Sequence, residues 1–99
     1  MSAKVKKLAS LLLAETLDIT EVTPLSSELL RLRGSDMRID ASQVRKLGAQ
    51  CMQALLCAST TWTQDGTRLE LIDPSPDFVQ SVQAYGLDID LFSSQENTL

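Results

Sequence analysis

The feature that most constrains this chain is an alternation. Short apolar runs of strand length take turns with segments whose apolar residues recur at helical spacing. The first run, over 5–14, is short and directly precedes turn-like residues, so it reads as a strand or hairpin. Val22, Leu25, Leu29 and Leu32 then mark one face of a helix over about 20–33. Asp18-Ile19-Thr20-Glu21 has the form of a capping box, Thr23-Pro24 offers a second start, and Gly34 a stop.

The pattern then repeats. Met37-Arg38-Ile39-Asp40 alternates apolar with polar residues, as a strand does, and Ala41-Ser42-Gln43 reads as a loop. A longer helix is expected from Gly48 to Gln64. Met52, Leu55, Ser59 and Trp62 lie on one face, with Cys51, Ala54 and Ala58 beside them. Trp62 is expected against the sheet, with a partner-facing anchor as the other reading. Asp65-Gly66 ends the helix, and Arg68-Leu69-Glu70-Leu71-Ile72 is the third strand. Ser75 is a natural N-cap and Pro76 a first-turn residue for a last helix with Phe78, Val79, Val82 and Tyr85 inward, stopped by Gly86. The domain is placed at 1–90. Residues 91–99 are expected to form a loose tail, with Leu91 and Phe92 as the residues able to pin it. Strand–helix repetition of this kind predicts an α/β domain with parallel strand pairs, whose functional edge lies beyond the carboxyl ends of the strands.

The chain's 99 residues suit one domain, and a hydrophobic share of 43% is that of a globular chain. Nine Lys+Arg against 13 Asp+Glu give a net charge of −4, which argues against a phosphate backbone as partner. Histidine is absent, and with it the commonest general base and metal ligand. A Cys–His pair and a Ser-His-Asp set are thereby excluded. The glycines stand singly at 34, 48, 66 and 86, so no glycine-rich phosphate loop exists. Asp36 and Asp40 flank one strand, but nothing completes a metal shell. The expectation is a non-enzyme without cofactor or metal.

Cys51 and Cys57 are six apart on a predicted helix, roughly 240° out of phase, so they are expected unbonded, as two small buried hydrophobes. Lys4, Lys6 and Lys7 before the apolar run mimic a signal peptide. Glu15-Thr16-Leu17-Asp18 stands where a small-residue cleavage site would lie, and the expected location is cytoplasmic. No apolar run approaches the roughly 20 residues of a membrane helix.

The functional edge gathers Asp40, Ser42, the basic pair Arg45-Lys46 on a loop, and the start of the long helix at Gly48 and Ala49. The exposed side of that helix, with Gln50, Gln53, Thr60 and Gln64, is polar yet uncharged, so a partner can cover it at low desolvation cost. Asp40 is read as a hydrogen-bond acceptor for loop amides. The pattern lacks the acidic pair and lysine of a receiver domain, and the Asp-Ser-Leu of an acyl carrier.

The stretch from Met37 to Ala58 resembles the centre of a STAS domain, the fold of anti-sigma-factor antagonists. Asp40 takes the strand-end Asp, Val44 the loop Val, Leu47 the apolar residue after it and Leu55-Leu56 the helix pair. Asp65-Gly66 with Leu69-Glu70-Leu71-Ile72 matches the family's next strand, and 75–87 its last helix. The resemblance implies a small mixed sheet with helices mainly on one side. The family's phosphorylatable Ser or Thr, in an Asp-Ser pair, falls here on Gly48-Ala49, so the usual acceptor is missing; Ser42 is the displaced candidate. Asp-Ala-Ser-x-Val, Gly-Ala-Gln, Trp-x-x-Asp-Gly and Asp-Pro-Ser-Pro-x-Phe look most like short STAS proteins of chemotaxis gene clusters. That likeness implies an accessory partner of a chemotaxis histidine kinase. Two other family roles stay open: binding an anti-sigma kinase of the same ATPase superfamily, or the ATPase of a phospholipid ABC transporter.

Overall fold

The computed structural model describes residues 8–93. Strand β1 (Leu8–Leu12), β3 (Asp36–Asp40) and β5 (Leu69–Ile72) form a sheet in the order β1-β3-β5. The short β2 (Thr16–Leu17) and β4 (Lys46–Leu47) form a second sheet. Every pairing among the described residues is parallel. Helix α1 (Val22–Leu32) connects β2 to β3 and α2 (Ala49–Asp65) connects β4 to β5, as parallel pairing requires, and α3 (Pro76–Ala84) follows β5. The first run is therefore a strand that hands over to a second sheet, and not a hairpin. Residues 5–7 of that run, and Lys4, Lys6 and Lys7, lie outside the described residues.

The three-stranded sheet has two unlike faces because side chains alternate along each strand. Ala9, Met37 and Leu69 share one row of the inner face, and Leu11, Ile39 and Leu71 the next. These rows join Leu25 and Leu29 of α1 and Leu55 and Trp62 of α2 in one core. On the outer face Ser10, Arg38 and Glu70 stand in register and are all exposed, and Arg38 pairs with Glu70 at 3.3 Å. The helices thus cover one side, as the STAS resemblance implies.

Local chemistry sets the helix ends. Asp18 accepts the Thr20 N–H at 3.0 Å and opens a 3₁₀ turn, Ile19–Glu21, that runs straight into α1. Thr23 is therefore not an N-cap. Thr23 and Pro24 lie inside the first turn, where proline's missing N–H costs nothing. Ser75 accepts the Phe78 N–H at 3.0 Å and caps α3 as expected. Gly66, at φ +72°, closes α2 in the left-handed region that glycine enters freely.

Three expectations need correction. Cys57 is exposed, not buried, while Cys51 is buried; both are free. Tyr85 points outward at 48% exposure, because α3 ends at Ala84 and the chain has already left the helical path. Trp62, by contrast, faces the core as expected, which leaves the partner-facing reading aside: it is 2% exposed, and its Nε1–H donates to Ser35 O at 2.7 Å, at the entrance to β3. Residues 91–93, expected to begin a loose tail, are seated. A 3₁₀ turn, Ile89–Phe92, buries Phe92 edge-on against Phe78 with ring centres 5.6 Å apart. The Ser59 hydroxyl donates to Leu91 O, and Leu71 N–H donates to Ser93 Oγ, at 2.8 and 3.1 Å. Phe92 does the pinning; Leu91 stays exposed. Residues 94–99 lie outside the described residues.

Candidate docking surface

The loop after β3 is held on both sides. Ala41 and Val44 are buried in the core, and Ala41 N–H donates to Ile72 O at 3.2 Å. On one flank the Ser75 N–H donates to Ala41 O, and its hydroxyl donates to Val44 O. On the other flank Glu15 O accepts both Arg45 N–H and Lys46 N–H, at 2.7 and 3.1 Å. The loop backbone is thus anchored on both flanks, and the side chains of Ser42, Gln43, Arg45 and Lys46 point outward between the anchors.

Asp40 lies at the head of this loop and accepts the Ser42 N–H at 2.8 Å, the loop-amide role its position suggested. The Ser42 hydroxyl and N–H hold the Asp40 carboxyl below the usual carboxylate range. Ser42 itself is exposed, but its neighbour is an ionised carboxylate. A phosphate added there meets like charge, which disfavours the phosphorylated form.

Arg45 and Lys46 are both exposed. The sequence placed them on a loop, but Lys46 belongs to β4, paired with Thr16. The cause is the backbone: Glu15 O draws in both amides, which aligns the two following residues with β2. The Arg45 guanidinium reaches Glu15 only loosely, at 4.0 Å with both side chains mostly exposed, so its charge remains open to a partner.

Gly48 is the N-cap of α2 and offers no side chain to its amides. It packs against β2: its N–H donates to Leu17 O at 2.8 Å, and a Cβ there would stand 3.0 Å from that same oxygen. Ala49 and Gln50 open the helix, and both are exposed. Gln53, one turn on, is exposed too, as are Thr60 and Gln64. The structure thus brings Asp40, Ser42, Arg45, Lys46, Gly48, Ala49 and Gln50 along one continuous edge, with Gln53 on the helix leading away from it.

Sequence reasoning missed Ile19. Cys51 Sγ lies 3.4 Å from Asp18 O, which ties the 3₁₀ turn to the start of α2 and sets Ile19 beside it, 64% exposed. Its signal was an apolar residue on the polar side of a capping box. A groove of about 250 Å³ also borders Gln43, floored by Leu11, Leu13, Leu17 and Leu25, with Glu21 and Glu28 at its rim. Among the described residues no three His, Cys, Asp or Glu side chains are placed to hold a metal ion. No described helix is long and apolar enough to cross a membrane.

The fold is thus a small parallel α/β layer whose edge beyond the strand ends is held by backbone hydrogen bonds on both flanks. The family model described as Mlab, STAS domain matches residues 3–93, and the chain belongs to the STAS domain family. STAS domains are in general interaction modules of signal transduction and work without catalysis of their own. No curated protein and no solved structure matches the chain.

Proposed function

We propose that this STAS domain is an accessory partner of a chemotaxis histidine kinase, docking in the cytoplasm through the edge from Asp40 to Gln50 together with Gln53 and Ile19. The observation that carries the reading is Ala49. At the head of α2, where the family resemblance sets a phosphorylatable hydroxyl, an exposed methyl group follows a glycine. A surface without that acceptor binds its target without a covalent mark. Arg45 and Lys46 supply positive charge to an acidic patch on the kinase, and Gln50 and Gln53 lose little on being covered. The domain contributes no reacting group.

The Ser42 hydroxyl leaves one further reading in play, that of an anti-sigma antagonist switched by phosphate. Tagged protein is purified from its own cells, its intact mass measured, and its bound partner identified. A histidine kinase bound to protein of unmodified mass is the predicted result. One added phosphate mapped to Ser42 would select the switched antagonist, and an ABC ATPase in place of a kinase would select the transporter role.

A further inference from the structure

The leucine-floored groove beside the docking loop fits a partner of its own: we infer that it takes a basic amphipathic helix of a second protein, laid along α1. The groove opens where the chain leaves the sheet. Leu13 N–H still donates to Asp40 O at 3.0 Å, but the chain then turns away to reach β2 at Thr16, and α1 does not close the gap. Leu13, Leu17 and Leu25 are buried at the floor, with Leu12 and Ala14 on the strand side and Pro24 on the helix side. Leu12 is 54% exposed, and Ala14 and Pro24 are exposed with it. At about 250 Å³ the groove is smaller than the roughly 300–1,000 Å³ of sites that enclose a small molecule, so it suits side chains projecting from a segment.

Charge selects the segment. Glu21 and Glu28 stand at the rim, and no Lys or Arg lines the groove. From Leu8 to Leu30 the chain holds Glu15, Asp18, Glu21 and Glu28 and no basic residue. An acidic rim repels nucleic acid and an anionic membrane surface, and attracts Lys and Arg. The spacing of the rim selects a helix. Glu21 and Glu28 are seven residues apart, about two turns or 10 Å along α1. A helix lying beside α1 matches them with basic residues at the same interval. Its apolar residues between them enter the groove, the way amphipathic helices seat in apolar grooves.

The surrounding groups leave the rim available. Glu28 pairs with Arg31 at 2.9 Å, but the two side chains are 43% and 65% exposed, and a surface pair of this kind gives way at little cost. Among the described residues the Glu21 carboxylate joins no ion pair. The walls come from 11–28 and Gln43, and β1 begins at Leu8, the far end of the strand from them. The inference goes beyond the kinase reading. The docking edge offers Arg45 and Lys46 to acidic groups, the groove offers the opposite sign, and the measurement below needs no kinase.

The probe is a fluorescein-labelled synthetic helix of about four turns, with leucine on one face and lysine along both margins. Its anisotropy is followed as the whole chain is added at low salt. The peptide should bind, and several-fold more weakly at physiological ionic strength. The same peptide with glutamate in place of lysine should not bind. Glu21→Lys with Glu28→Lys should keep a native circular-dichroism spectrum, weaken the lysine peptide at least about tenfold and let the glutamate peptide bind. Amide shifts of the wild type on adding the lysine peptide give a second reading should the double variant misfold, and they should gather at 11–17, 21–28 and 43. A wild type that does not bind the lysine peptide, a folded double variant with unchanged affinity, or shifts confined to 45–53 would overturn the inference.

Discussion

Three carboxylates and two thiols differ in their surroundings enough to be told apart by experiment. Asp40 is ionised and held by Ser42, so its folded pKa is depressed. Asp18 and Asp65 are depressed as well, the first by the Thr20 hydroxyl and N–H, the second by the Arg33 guanidinium. The folded state then binds fewer protons than the unfolded chain, so these carboxylates stabilise the fold above the ordinary carboxylate range. Their contribution is lost as pH falls through the depressed values. Urea midpoints measured across that acid window should drop with pH, and Asp40→Asn should make the drop shallower. The two thiols divide the other way. Burial, ahead of the charges of Glu21 and Asp18, pushes the Cys51 thiol up, while Cys57 is open to solvent. A maleimide should label Cys57 in the native protein and Cys51 only after denaturation. Helical spacing alone shows that the two cysteines face apart, not which of them faces inward, so sequence does not distinguish them.

At the level of elements, periodicity located the three helices and the three long strands, because each buries one face against a common core. It could not locate β2 and β4. Two-residue strands have no period, and theirs is fixed by Glu15 O and Leu17 O, backbone atoms that sequence patterns do not describe. The tail was misread for a related reason. Residues 88–93 mix polar and apolar side chains with no helical or strand period, but one aromatic, Phe92, fills the space beside Phe78. Phe92→Ala should cost about 3–5 kcal/mol, read as a shift in the urea midpoint. Ser75 serves two elements at once, capping α3 and donating to Val44 O in the docking loop. Ser75→Ala should cost about 1–3 kcal/mol and speed amide exchange over 42–45, since the loop loses an anchor that α3 holds for it.

For the whole molecule, a single covered sheet face leaves two exposed margins with different chemistry. The margin beyond the strand ends carries Arg45, Lys46 and the start of α2 in a frame of backbone hydrogen bonds. The residues proposed for docking group together because they are nearly continuous in sequence, whereas Ile19 is set beside them only through the tie between Asp18 and Cys51. The account's central claim is that this margin binds without phosphorylation. The most direct measurement is calorimetric titration of the purified kinase partner with protein of verified unmodified mass, alongside the Ala49→Glu variant. An acidic residue suits a helix start, so the variant should keep its native spectrum while placing charge and bulk on the contact. The account predicts binding by the unmodified protein and at least about tenfold weaker binding by the variant, a loss of roughly 1.4 kcal/mol. Equal affinity for both proteins, or binding that appears only after Ser42 is phosphorylated, would contradict it.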